Sequence, residues 1–207
     1  MIYNFYHITD VHYYSKRNFK CDWRTIPQPS TQICILKSEE AFKRALEIVE
    51  NDPDTDTAII TGDLTNHGES YSHEEVRDIL QEFTAKGGNP FAYPDIHDYP
   101  PFYIYSFDEN GEHVPVEHLP EDEVKKIYYP LGRDKAFDIY EGDDTTFIAE
   151  ILPGLYYIAM GYDSTDEGPV FSDELTAWVK SHTEKAKEKG ATVICSTHKP
   201  VVAHSPA

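Results

Sequence analysis

The 207-residue sequence predicts an α/β fold built on a largely parallel, buried sheet. Two observations carry that expectation. Short stretches rich in Ile, Val, Tyr and Phe recur at about Tyr3–Thr9, Ala58–Thr61, Pro90–Tyr93, Leu155–Met160 and Thr192–Thr197, which suits buried strands. Segments with one apolar face at helical spacing alternate with several of them, and such alternation places helices over parallel strands. The length suits one domain with a full core, so residues 1–207 are expected to form a single domain.

After the first strand comes a polar loop holding Pro27 and Pro29, then a helix with Phe42, Ala45, Leu46 and Val49 on one stripe. Glu39 and Glu40 suit its positive end. The next helix is expected to open at Ser72, with Glu75 in capping-box spacing. It carries Val76, Ile79, Leu80 and Phe83 on one face and stops at Gly87-Gly88. Residues 101–150 break the rhythm. There Asp108-Glu109-Asn110-Gly111 reads as a turn between strands, Pro120 opens a short helix bearing Val124, Ile127, Tyr128 and Leu131, and the acidic stretches read as solvated surface. A helix from about Ser172 to Lys189 turns Leu175, Trp178 and Val179 inward and ends at Gly190.

Composition narrows the function classes. Hydrophobic residues at 40% and charged residues at 27% fit a soluble globule and exclude wholesale disorder. A formal net charge of −19 repels polyanions, so no nucleic-acid polymer is expected as a partner. A small anionic substrate stays compatible, because bound cations reverse the local sign within one pocket. No apolar run approaches membrane-spanning length, so no membrane partner is expected. Met1-Ile2-Tyr3-Asn4-Phe5-Tyr6 lacks the basic and apolar regions of a signal peptide, and the expected location is cytoplasmic. Cys21, Cys34 and Cys195 have no close paired spacing and read as reduced thiols.

The chemistry lies at strand ends. The first strand runs into Asp10-Val11-His12, the second into Gly62-Asp63, the third into His97-Asp98 and the last into His198. Open α/β sheets gather ligand sites at the carboxyl ends of their strands, so these distant residues are expected to converge. In extended backbone, Asp10 and His12 would point to the same face and reach one cation. Carboxylate oxygen with imidazole nitrogen suits manganese, iron or zinc, whereas calcium wants more oxygens. Gly62 permits a tight turn before Asp63, and a carboxylate can bridge two ions. His67, after the Gly-Asp pair, reads as a helix-entry or surface residue, and His204 as a terminal loop residue.

These segments resemble the calcineurin-like metallophosphoesterases. The resemblance rests on Asp10-Val11-His12, on Gly62-Asp63-Leu64-Thr65-Asn66-His67-Gly68-Glu69, on His97-Asp98 and on Ser196-Thr197-His198-Lys199-Pro200, in the family's order. Gly161-Tyr162-Asp163-Ser164-Thr165, with Asp173-Glu174-Leu175 and Trp178, extends it over nearly the whole chain. It implies a layered αββα sandwich, here lacking its C-terminal strands, with 101–150 as a substrate-side cap. It implies that Asp10, His12 and Asp63 bind a first metal, that Asp63 and His198 bind a second, that His97 is the general acid and that Asp98 tunes or orients it. The implied reaction is hydrolysis of a phosphomonoester or phosphodiester by a metal-activated water, with manganese or iron, or zinc, as cofactor and a small anionic phosphoester as substrate.

The sequence departs from the family twice. Asp95-Ile96 stands where the family has Gly-Asn, and isoleucine cannot ligate a cation; Asp95 in a strand should point away from the position of residue 96. No late Gly-His-x-His motif precedes Ala207, so the first metal is expected to be held better than the second. These departures keep two alternatives open, a catalytically impaired metal-binding or interaction domain and a truncated fragment of a longer phosphoesterase. The fragment reading expects an exposed sheet edge and self-association through it.

Overall fold

The computed structural model describes residues 2–27, 34–99, 104–143, 145–161, 163–165 and 168–198. They divide into two compact units, Asn4–Leu131 and Gly132–Ala207, the latter joined by Met1–Tyr3.

In the Asn4–Leu131 unit the sequence order is β1 (Tyr6–Thr9), α1 (Ser38–Glu50), β2 (Thr57–Thr61), α2 (Ser70–Ala85), β3 (Asn89–Tyr93), β4 (Tyr105–Phe107), β5 (His113–Pro115) and α3 (Glu121–Tyr128). Strands β1, β2 and β3 form a parallel sheet with β2 in the middle. Every residue of β2 is buried, as a central strand covered on both faces requires. Phe42, Leu46 and Val49 of α1 and Val76, Leu80 and Phe83 of α2 pack into one core with Ala58, Ile60 and Ala92 of the sheet. Each large apolar side chain so buried stabilises the unit by roughly 2 kcal/mol. Tyr128 and Val124 bring α3 into the same core.

Two local expectations change here. The first strand begins at Tyr6, not Tyr3. Helix α2 starts two residues before Ser72, with Glu69 at its cap position and no side-chain cap. Ser72 and Glu75 are committed elsewhere: the Ser72 hydroxyl accepts from the Ser15 amide at 3.1 Å, and Glu75 accepts from the Tyr13 hydroxyl at 2.8 Å. Tertiary partners have taken the groups that a local cap would use.

In the Gly132–Ala207 unit the order is β6 (Ala136–Ile139), β7 (Phe147–Leu152), β8 (Leu155–Ala159), β9 (Asp163–Thr165), β10 (Gly168–Val170), α4 (Asp173–Glu188) and β11 (Thr192–Ser196). Its main sheet runs β11-β8-β7-β6, parallel only between β11 and β8. The sheet is therefore mixed, contrary to the largely parallel expectation. The cause is the tight β7–β8 hairpin, whose turn uses Gly154 at φ 77, and the additional strand β6. Helix α4 is capped by Ser172, whose hydroxyl accepts from the Leu175 amide at 3.0 Å. None of the described helices is long and apolar enough to cross a membrane.

Candidate metal centre

Strands β1 and β2 stay tied to each other past their ends. The His12 amide donates to the Asp63 carbonyl at 2.8 Å, the Tyr13 amide to the Leu64 carbonyl at 3.0 Å, and the Asn66 amide to the Tyr13 carbonyl at 3.1 Å. The Gly62 amide donates to the Tyr93 carbonyl at 3.1 Å, which adds the end of β3. The three loops thus leave the sheet side by side.

Within these loops the backbone is strained at specific residues. Among the described residues, the non-glycine positions with positive φ are Asp10 (54°), His12 (43°) and Asp63 (47°). Asp and His tolerate this left-handed region better than most side chains, yet it still costs roughly 1 kcal/mol or more per residue. The extended geometry expected for Asp10-Val11-His12 is replaced by this conformation. Both side chains nevertheless face one place, with His12 Nε2 3.7 Å from Asp10 Oδ1 and 3.6 Å from Asp63 Oδ2. The Asp63 carboxylate is 6% exposed and that of Asp10 53%.

The third loop brings His97. Its amide lies 3.4 Å from Asp63 Oδ1, and its Nε2 lies 3.9 Å from Asp63 Oδ2. One donor atom from each of His12, Asp63 and His97 falls within 4.8 Å of the others. A buried carboxylate flanked by two imidazoles fits a first-row transition ion. Asp10, on the open side, offers a further oxygen. Beside it opens a cavity of about 440 Å³ whose lining includes Asp10, His12, Lys37 and Ser38.

Asp98 does different work. Its buried carboxylate accepts from the amides of Leu64 (3.1 Å), Thr65 (2.7 Å) and Asp95 (2.9 Å) and from the Thr65 hydroxyl (2.7 Å). Burial pushes its carboxyl up to about 7, against the opposing pull of those donors. These bonds knot the loop after β2 to the turn Ile96–Asp98. Asp95 closes the knot, its carbonyl accepting from the Asp98 amide at 2.7 Å. Asp95 is buried, and the ligand clusters found among the described residues do not include it.

His67 lies closer to the chemistry than its loop position suggested. Its Nδ1 is 2.9 Å from Nδ1 of His97, and the two rings stack with centroids 5.0 Å apart. Burial, then the neighbouring His97 and His12, lower its pKa to about 4, with Asp63 opposing. The pair could have been sought in the sequence: a histidine directly after Thr65-Asn66 follows the Asp63 loop toward the same strand ends.

His198 follows β11 and is half-buried in the Gly132–Ala207 unit. His204, Lys199, Pro200 and Tyr162 lie outside the described residues. The chain finds no match among curated proteins. The family described as calcineurin-like phosphoesterase matches residues 3–206. Since that match takes in every strand-end residue described above, the chain belongs to the calcineurin-like phosphoesterases.

Proposed function

We propose that this chain hydrolyses a small phosphomonoester or phosphodiester in a metal-dependent reaction. The observation that carries the reading is that, among the described residues, the left-handed non-glycine positions are Asp10, His12 and Asp63, of which His12 and Asp63 present ligand atoms beside His97 and Asp10 presents a carboxylate oxygen 3.7 Å from His12 Nε2. Strain of this kind persists where surrounding structure holds a residue for its function.

Asp10, His12 and Asp63 hold the first cation in this reading, and Asp63 shares the second with His198, as in the family. The mixed oxygen and nitrogen donors favour manganese, iron or zinc. Bound cations of this type supply Lewis acidity, activate water and neutralise phosphoryl charge. His97 donates a proton to the leaving oxygen. Asp98 fixes the loops that carry Asp63 and His97, through the bonds to Leu64, Thr65 and Asp95. The cavity beside Asp10 receives the rest of the substrate, with Lys37 offering a cation to its negative charge. With Asp95-Ile96 in place of the family's Gly-Asn, the second cation is the weaker bound.

The test is turnover of p-nitrophenyl phosphate and bis(p-nitrophenyl) phosphate with manganese, iron or zinc added and removed. The expected result is hydrolysis that depends on metal; a folded, metal-loaded chain inert toward both esters would favour a purely metal-binding or interaction role. His97→Ala should retain metal and lower kcat by about 100-fold or more. If it instead strips the metal, His97 is a ligand and not the acid.

A further inference from the structure

We propose that His67 is a positioning residue that fixes the ring of His97, so that Nδ1 of His97 carries the hydrogen and Nε2 faces Asp63. The proposal rests on the reading of His97 as the proton donor, and it adds the group that aims that donor.

With both rings neutral, the two contacts of His97 Nδ1 admit one hydrogen arrangement. The two Nδ1 atoms lie 2.9 Å apart, so one carries a hydrogen and the other accepts it. Nδ1 of His97 also lies 3.2 Å from the Asn66 carbonyl oxygen, which can only accept. Both contacts are satisfied only if the hydrogen sits on His97, shared between Asn66 and His67. His67 then accepts at Nδ1 and keeps its own hydrogen at Nε2. This leaves Nε2 of the neutral His97 ring without a hydrogen, 3.9 Å from Asp63 Oδ2, so the form of His97 that acts as an acid is the imidazolium, which carries its second proton at Nε2 and keeps its Nδ1–H on Asn66 and His67.

His67 is itself held. Its amide donates to Glu69 Oε2 at 3.2 Å, and Glu69 also accepts from Asn66 Nδ2 at 3.3 Å. Gly68 follows at φ +86, and a Cβ there would come within 3.2 Å of the Asp98 carbonyl oxygen, so the loop packs against the turn that bears His97. The His67 ring stacks on His97 at 25° between planes, and the Tyr105 ring of β4 lies 6.3 Å away. A ring clasped on these sides can keep His97 from rotating about χ2, as outer-shell partners do for imidazoles in metal sites.

The experiment uses the full chain. Long-range proton–nitrogen spectra of 15N-histidine protein, without metal, read the His97 tautomer directly. The expected state is Nδ1–H on His97 in the wild type and a tautomer mixture in His67→Ala. In steady-state assays with p-nitrophenyl phosphate and manganese, His67→Ala should lower kcat by about 10- to 100-fold with KM and manganese affinity unchanged. His67→Gln, whose amide oxygen can accept from Nδ1, should restore part of that loss. A wild-type His97 bearing its hydrogen on Nε2 would overturn the proposal, as would a His67→Ala effect confined to KM or absent. If the wild type hydrolyses nothing, the phosphoesterase reading falls, while the tautomer still decides whether His67 orients His97.

Discussion

His73 offers the most quantitative test of how this centre is supported. It lies on α2, fully buried, with Nε2 3.1 Å from the Asp98 carbonyl oxygen and Nδ1 3.0 Å from the Tyr128 hydroxyl. The carbonyl can only accept, so neutral His73 carries its hydrogen on Nε2 and accepts from Tyr128. A second proton would place a charge in a fully buried ring, and desolvation lowers the pKa to about 4 from the ordinary 6.5. The unfolded chain therefore binds a proton over a range where the folded chain does not. The stability that neutral His73 confers is full above about pH 7, declines as pH falls below 6.5 and is lost below about 4. At about 1.4 kcal/mol per pH unit, this gap corresponds to about 3 kcal/mol. Urea unfolding of the wild type and His73→Gln at a series of pH values reads the contribution as a difference, in which groups distant from His73 cancel. The difference should shrink by about 3 kcal/mol between pH 7.5 and 4. A difference that stays constant over that range would refute a buried, neutral His73.

Asp63→Asn keeps a side chain that tolerates left-handed backbone but removes the buried carboxylate charge. It should fold normally and weaken manganese binding by about 10-fold or more by calorimetry; wild-type affinity would remove Asp63 from the centre. Thr65→Val is close to isosteric at a fully buried position, yet it deletes the hydroxyl that donates to Asp98 at 2.7 Å and accepts from the Gly68 amide at 3.0 Å. It should cost about 2 kcal/mol in urea unfolding, and an unchanged midpoint would show that the knot around Asp98 carries no weight.

The parallel half of the fold is written plainly in the sequence. The apolar runs ending at Thr9, Thr61 and Tyr93 pair in register, and α1 buries Phe42, Leu46 and Val49 from the expected stripe. The turn over Asp108 to Gly111 joins β4 to β5. Strands β6 and β7 escaped notice because acidic and polar residues interrupt their apolar pattern, although Phe147-Ile148-Ala149 before Pro153-Gly154 is a hairpin signal. The strand-end motifs revealed which residues to follow, but not how they meet. Left-handed backbone at Asp10 and His12 has no periodic signature, and the contact between His67 and His97 depends on loops tied by Asp98. The bonds from the amides of Leu64, Thr65 and Asp95 to the Asp98 carboxylate have no periodic signature either.

The left-handed trio also constrains how this chain can vary. Selection for folding alone, in the absence of cation and substrate, should welcome glycine at positions 10, 12 and 63, since glycine adopts that backbone without steric cost. It should reject valine and isoleucine there, whose branched side chains crowd the same conformation. Chains that preserve Asp, His and Asp at these positions therefore forgo an available gain in stability, and a library sorted once for foldedness and once for cation capture would diverge at these positions first.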